Sequence, residues 1–227
     1  YCCLPLAILS KESGALLVVI LFFIECVLFR FQGKSNYSPA IIALHLLPAV
    51  VGILAIGIFL SRGLPDFLNY DLRPFSMGER LLTQSRVLWQ YVAELLLPAG
   101  VDPGFYHDDV VVSKGFFTPW TTAPAVIGLV VVLVSVTYAV IKTQYRLLSL
   151  GLGLFFIGHL LESTVINLEL YFEHRNYLPS VGLWLFIIGL GSFIFKRREY
   201  RWYGYCLVFI YLGLQSFYIS QEAHLWR

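Results

Sequence analysis

The sequence predicts an all-α fold: a polytopic bundle of transmembrane helices with six spans and a partial one, and an amphipathic interfacial helix on the outer side. Hydrophobic residues fill 58% of the 227 positions and charged residues only 13%, against about 45–50% and about 25% in soluble domains. Apolar runs recur near the length of about 20 residues that a helix needs to cross a bilayer. Open strands would leave backbone groups unsatisfied in lipid, so these runs must be helices.

The apolar runs predict the order of the spans. A partial span at 1–9 precedes spans at 14–29, 40–60, 123–141, 147–168, 178–195 and 204–220. We assign residues 1–220 to one transmembrane helical domain, and 221–227 to the start of an outer C-terminal region. The chain begins at Tyr1 and stops just after an apolar run, so we expect further sequence at both ends.

Basic residues between the spans predict which side each loop faces. One short loop carries Arg30 and Lys34, a second carries Lys142 and Arg146, and a third, at 196–201, is also basic. Alternation through the spans puts these loops on the same side, and the positive-inside rule makes that side cytoplasmic. The other polar segments then face outward.

The longest outward segment, 61–119, is predicted to hold an interfacial helix followed by a loop. Between 78 and 97, apolar residues recur at helical spacing, and the polar residues opposite them are Glu79, Arg80, Thr83, Gln84, Arg86, Gln90 and Glu94. A helix with one strongly apolar side, one polar side and modest overall hydrophobicity is expected to lie in the outer interface rather than span. Pro98 and Gly100 would end it.

The richest polar cluster lies at the outer end of the span that starts near 147. His159, Glu162 and Glu169 fall at helical spacings and share one face, which Glu173 joins if the helix continues. Ionisable residues inside an apolar run are costly and normally face a bundle interior or a wet cavity. Two interpretations stay open: a functional site, or an interhelical hydrogen bond between His159 and Glu162 that holds the bundle together.

Two further motifs contain residues that could take part in binding or catalysis. His107, Asp108 and Asp109 could bind a divalent cation or supply a general base, although such a run also suits a solvated turn. Lys11, in a charged break between two apolar runs, could meet a lipid phosphate or simply form a turn whose Ser10 caps the next helix. Nothing in the sequence is typical of a nucleic-acid-binding face.

Three stretches together resemble a known family. They are Leu-Ser-Lys-Glu-Ser at 9–13, Arg-Val-Leu-Trp-Gln-Tyr at 86–91 followed by Leu-Pro at 97–98, and Glu-His-Arg-Asn-Tyr-Leu-Pro-Ser at 173–180. They resemble the membrane portion of bacterial tetratricopeptide-repeat membrane proteins. Those proteins are similar in turn to the transmembrane and tetratricopeptide-repeat O-mannosyltransferases of eukaryotes, among the multi-span glycosyltransferases that use polyprenyl-phosphate sugars.

The resemblance implies a membrane lipid as partner, a polyprenyl-phosphate-linked sugar as donor, and a protein or glycan as acceptor. It also implies an acidic catalytic motif ahead of this chain, helical repeats after it, and a site facing the periplasm of a bacterial inner membrane. Residue by residue, the resemblance matches functional positions of the family only at Lys11, Glu12, Arg86, Glu173, His174 and Arg175. On this basis Arg175, Arg86 and Lys11 would hold the lipid phosphate.

The catalytic base would lie in the preceding segment, with Glu173 and Asp108 as local substitutes. Asp109 and His174 are the other two candidate catalytic residues. Two other functions fit the same pattern. One is a ligase or polymerase that joins lipid-linked glycans. The other is a non-catalytic membrane anchor that presents tetratricopeptide repeats during envelope assembly.

Overall fold

The computed structural model describes residues 4–31, 39–44, 46–48, 50, 68–97, 110–142, 145–196 and 198–225. These residues form helices and connecting turns without a β-strand, which confirms the predicted all-α class for this part of the chain. We number the helices in chain order as α1 Leu4–Ser10, α2 Leu16–Ile24, α3 Met77–Leu96, α4 Thr122–Ile141, α5 Arg146–His159, α6 Tyr177–Lys196 and α7 Arg201–Leu225.

Two of the described helices are long and apolar enough to cross a membrane, namely α4 and the Arg201–Gln221 part of α7. In each of these helices, only 6% of the most apolar 18-residue stretch is buried inside the protein. A core helix of a soluble domain would bury its apolar stripe. Shorter apolar helical stretches cover Ser13–Phe29 and Arg146–His159, and most of the span predicted at 40–60 lies outside the described residues. The prediction of a membrane protein is thus supported, and the count of six spans is not confirmed.

A charged turn separates the first two helices where the sequence predicts one. Lys11 has an extended backbone, with φ −157° and ψ 143°, and the 3-10 turn Glu12–Ala15 follows it. α2 then continues as the π-helical turn Glu25–Phe29 and ends at Arg30, whose φ of 56° is left-handed. The basic loop predicted after this span therefore begins directly at the helix end.

α5 and α6 form the most extensive helix pair among the described elements. A Cβ on Gly151 would lie 2.7 Å from the Gly182 carbonyl oxygen, and a Cβ on Gly182 would lie 2.6 Å from that of Gly151. No side chain fits at such distances, so glycine at both positions allows the two backbones to approach closely, as small residues do between membrane helices.

The extent predicted for the span at 147–168 is wrong. α5 ends at His159, and residues 160–172 form turns and extended segments. Glu162, Glu169 and Glu173 therefore do not continue one helical face from His159. The cause is competition for hydrogen bonds, because side chains of α3 bind carbonyl groups of this segment that would otherwise pair within a helix. We call residues 160–172 the post-α5 segment.

The amphipathic helix predicted at 78–97 is confirmed as α3, Met77–Leu96. It begins with a capping box, in which Ser76 Oγ accepts from the Glu79 N–H and Glu79 Oε2 accepts from the Ser76 N–H at 2.7 Å. These bonds satisfy backbone groups that a helix start leaves unpaired.

The polar side of α3 packs against protein. An interfacial helix would turn this side to water, but Arg80 and Thr83 are fully buried and Gln84 is 2% exposed. On the apolar side, Leu81 and Trp89 remain about two-fifths exposed, at 43% and 38%. The amphipathic pattern therefore arises because α3 packs on a polar segment, in addition to any contact with an interface.

Candidate functional site

The candidate site lies at the His159 end of α5, where the post-α5 segment and the 3-10 helix Glu173–Asn176 connect α5 to α6. α3 packs across this connection. The site therefore combines a helix end, a polar backbone segment and the buried side of an amphipathic helix.

Arg80 holds the post-α5 segment together. Its guanidinium donates to the carbonyl oxygens of Glu162 at 2.7 Å and Thr164 at 2.9 Å, and also to those of Leu168 and Glu169. Burial lowers the pKa of Arg80 to about 10, so the group stays charged at neutral pH. One buried cation thus satisfies carbonyl groups that lack helical partners, and hydrogen bonds to a charged group are among the stronger ones.

Two ion pairs centre on Glu169. Its carboxylate lies 3.2 Å from Arg73 and 3.2 Å from Arg175. Burial alone would raise the carboxyl pKa, but a hydrogen bond from its own backbone, the hydrogen bond from Arg73 and the charges of both arginines lower it below its usual value. Glu169 is therefore ionised at neutral pH, although it is 46% exposed, which weakens each pair.

Arg175 is enclosed by acceptors. Its Nε lies 3.2 Å from Glu162 Oε2 in an ion pair that lacks hydrogen-bond alignment, and its Nη1 donates to the Glu169 carbonyl oxygen at 2.6 Å. The guanidinium also stacks 5.0 Å from the Phe172 ring centre, and only 8% of the side chain is exposed. Arg175 is thus already neutralised by carboxylates, so a phosphate would have to compete with them.

Tyr91 forms hydrogen bonds at both ends of the Glu173–Asn176 helix. Its hydroxyl donates to the Phe172 carbonyl oxygen at 2.9 Å and accepts from the Phe172 N–H at 3.0 Å. At the other end, Asn176 Nδ2 donates to the Tyr91 carbonyl oxygen at 3.2 Å. Burial raises the pKa of Tyr91 to about 12, so its hydroxyl keeps the proton that it donates. α3 thereby fixes the run that carries Glu173, His174 and Arg175.

His159 is packed inside the protein. It is 3% exposed, its ring stacks on Tyr91 at 5.2 Å, and it meets the edge of Phe155 at 4.8 Å. Its Nδ1 lies 3.4 Å from Ser163 Oγ. The predicted direct bond between His159 and Glu162 is not among the hydrogen bonds of the described residues, and these ring contacts fit a packing role behind the site.

Of the other predicted site residues, Glu173 and His174 adjoin this centre in the chain, and no hydrogen bond or ion pair of the described residues joins Lys11 or Arg86 to it. His174 is exposed, with its ring 4.8 Å from that of Phe172, and Glu173 begins the 3-10 helix that holds it. Lys11 is exposed in the turn after α1. Arg86 lies on α3 and donates to the Val111 carbonyl oxygen at 2.7 Å.

The proposed cation ligands belong to the stretch of chain between α3 and α4. His107, Asp108 and Asp109 lie outside the described residues, so their role stays a prediction. Among the residues that the structure does describe, no group of three or more His, Cys, Asp or Glu side chains could hold a metal ion.

Sequence reasoning missed the residues that organise the site, above all Arg80, Arg73 and Tyr91. The pattern placed Arg80 only on the polar side of α3, although its buried neighbours at three and four residues, Thr83 and Gln84, form one stripe with it. A polar stripe beside an apolar one is also typical of a helix that packs on protein, and that signal was present in the sequence.

Comparison with known proteins gives no match to a family model, to a curated protein or to a solved structure. The family resemblance therefore rests on its motifs alone.

Proposed function

We propose that this protein is a membrane-embedded glycosyltransferase-like protein that moves a sugar from a polyprenyl-phosphate donor to a protein or glycan acceptor. The reaction would take place on the outer face of a bacterial inner membrane. The full bundle of six spans and a partial one belongs to this proposal.

The observation that carries the proposal is the Glu173–Asn176 helix, the most specific part of the family resemblance. Tyr91 holds both of its ends, and Arg175 is fixed by two carboxylates. A catalytic site needs groups held in defined positions. A polar run held by neighbouring side chains at the junction of two apolar helices meets that requirement, and we propose that the lipid headgroup binds beside it.

Contacts at the opposite end of the helices support the proposed sidedness. Arg30 Nη2 lies 3.5 Å from the Ile141 carbonyl oxygen, and Arg146 Nη1 lies 3.5 Å from that of Leu28. Two of the basic loops that sequence places in the cytoplasm thus meet at one end of the bundle. The Glu173–Asn176 helix follows the other end of α5, as an outer site requires.

In the proposed reaction, an acceptor hydroxyl attacks the anomeric carbon of the sugar, and the bond between that carbon and the phosphate oxygen breaks. The hydroxyl proton goes to a carboxylate, for which Glu173 and Asp108 are the local candidates, and the lipid phosphate leaves with the electron pair. Cations offset its charge. Lys11 and Arg86 suit this role better than Arg175, because neither is paired with a carboxylate among the described residues.

Sugar transfer by the full-length protein in native membranes tests the proposal. Radiolabelled polyprenyl-phosphate mannose is supplied, and label is followed into protein and glycan. We expect transfer by the wild type and a loss of about 100-fold or more in Glu173→Gln, because one general acid–base group typically contributes about 10²–10⁴-fold to a rate. Thr137→Val, an exposed change on α4, is the control. Absence of transfer with every donor sugar would favour the anchor function, and transfer of whole glycans would favour the ligase.

A further inference from the structure

A tight turn just before α4 carries three uncovered aromatic side chains, and we call residues 114–120 the aromatic turn. Phe116, Phe117 and Trp120 are 55%, 81% and 75% exposed. The two phenylalanines lie at the centre of the turn, which closes where the Lys114 N–H donates at 2.9 Å to a carbonyl oxygen four residues later. Turn centres favour Gly, Asn, Asp, Pro and Ser. Adjacent exposed rings at these positions instead mark an interaction surface.

Hydrogen bonds hold both ends of the aromatic turn against α3. The Ser113 N–H donates to Thr83 Oγ1 at 2.8 Å, and the Thr122 hydroxyl donates to Ser113 Oγ at 2.9 Å. Arg86 Nη1 donates to the Val111 carbonyl oxygen at 2.7 Å. Ser113 and Thr122 are fully buried, so the segments that enter and leave the turn are fixed. The three rings are therefore held in exposed positions.

The length of α4 places the aromatic turn at one surface of the bilayer. Its 20 residues, Thr122–Ile141, measure about 30 Å at 1.5 Å per residue, which is the thickness of the hydrocarbon core. Trp120 precedes one end of this helix. At the other end Tyr138 and Lys142 pair, with 5.8 Å between the lysine Nζ and the ring centre. Because Trp and Tyr are enriched at both membrane interfaces, the two ends of α4 mark the two boundaries between hydrocarbon and headgroups.

We infer that the aromatic turn inserts into the membrane leaflet at the start of α4, the outer one in the proposed topology, and anchors α3 at the membrane surface. The rings of Phe116 and Phe117 enter the boundary between headgroups and acyl chains, and the indole of Trp120 lies at the headgroup level. Because the turn is hydrogen-bonded to α3, insertion also sets the depth of that helix, which carries Arg80 and Tyr91 of the candidate site. This role holds whether or not the protein transfers sugar.

Two features favour a bilayer over a protein or a glycan as the partner of the aromatic turn. The apolar surface continues directly into α4, where Ile127 and Val131 are also exposed, so the turn and the helix meet the same lipid environment. A glycan site needs several polar side chains that fix the ligand, whereas the polar side chains of the turn are those of Lys114 and Thr118. A lysine beside exposed rings is typical of interfacial segments, because its ammonium reaches lipid phosphates.

Spin-label collision measurements test the insertion in the full-length protein, freed of native cysteines and reconstituted into nanodiscs of phosphatidylcholine and phosphatidylglycerol. A nitroxide at Phe117→Cys is compared with one at Ile127→Cys, on the apolar surface of α4, and one at Asp71→Cys, at an exposed polar position. Oxygen concentrates in the hydrocarbon, and a nickel chelate stays in water. We expect the label at Phe117 to collide mainly with oxygen, as at Ile127, and the label at Asp71 to collide mainly with the chelate.

Two results would overturn the insertion. Collision with the nickel chelate as frequent at Phe117 as at Asp71 would mean that the rings face water or a soluble ligand such as a glycan. Little collision with either reagent at Phe117 would mean that protein covers the turn, and would identify it as a protein-binding surface. Phe117 is the most exposed of the three rings, so its replacement leaves the packing of the turn intact.

A label at Leu81→Cys, on the exposed apolar side of α3, tests whether the turn sets the depth of that helix. In the double variant Phe116→Ser/Phe117→Ser, the collision ratio at Leu81 should shift toward the value for water, because the anchor is lost. Thr118→Ser, an exposed change in the same turn, is the matched control and should leave the ratio unchanged. Equal ratios in the double variant and the control would refute the anchoring of α3.

Discussion

Replacing Arg80 by methionine should unfold the post-α5 segment. The change keeps an unbranched side chain in a fully buried position but removes the donors to the carbonyl oxygens of Glu162, at 2.7 Å, and Thr164, at 2.9 Å. The carbonyl oxygens of Leu168 and Glu169 lose their donor as well. Each buried acceptor left unsatisfied costs about 1–3 kcal/mol.

Relaxation and water entry recover part of this loss, so we expect the free energy of unfolding to fall by about 3–5 kcal/mol, the range for breaking a buried charged interaction. Arg73→Met is the matched control. It removes an arginine of the same cluster that is 30% exposed and that donates to Asn167 and Glu169 of the same segment. Because these bonds are partly exposed, the change should cost only about 1–2 kcal/mol.

Thermal denaturation of the purified protein in detergent measures the difference, with limited proteolysis to report on residues 160–172. Arg80→Met should melt well below Arg73→Met and be cleaved in the post-α5 segment. Equal melting temperatures, with that segment protected in both variants, would refute the role given to Arg80.

Three further predictions follow from other contacts. Tyr91→Phe should lower the free energy of unfolding by about 1–2 kcal/mol, since both hydrogen bonds of its hydroxyl to the Phe172 backbone are lost. Tyr138→Phe, at a position that is 58% exposed, should change it little, and thermal melts of the two variants measure the difference. Gly182→Ala should destabilise by about 1–3 kcal/mol through overpacking, whereas Gly213→Ala, with nothing within 4 Å, should be neutral, and a neutral Gly182→Ala would be inconsistent with close helix packing. Because the pKa of Glu169 is lowered from 4.5, its contribution to stability is present above pH 4.5 and is lost as the pH falls below that value. The melting temperature of Glu169→Gln should therefore fall less than that of the wild type when the pH is lowered through this range.

The sequence predicts the positions of the helices well where local pattern decides them. α3 and α4 start within one residue of the predicted starts, because an amphipathic pattern marks the first and an apolar run marks the second. α5 could not be delimited in this way. Its apolar run continues past His159, and the backbone turns where tertiary contacts, those of Arg80 and Gln84 among them, bind the carbonyl groups that follow.

The candidate site was predictable in its location and not in its organisation. The run from Glu173 to Arg175 is visible as a polar cluster at the end of an apolar span, and the structure puts it at a helix junction. That Arg175 would be neutralised by Glu162 and Glu169 depends on a change of chain direction. Spacing along a sequence carries no information about that change, so the helical face drawn through these residues was wrong.

Sided labelling of single cysteines tests most directly whether the site faces outward. In full-length protein from which the native cysteines have been removed, His174→Cys and Lys142→Cys both place a thiol at an exposed position. A membrane-impermeant maleimide added to intact cells should label the first and reach the second only after permeabilisation. Labelling of Lys142→Cys in intact cells, with His174→Cys protected, would contradict the topology and the outer site together.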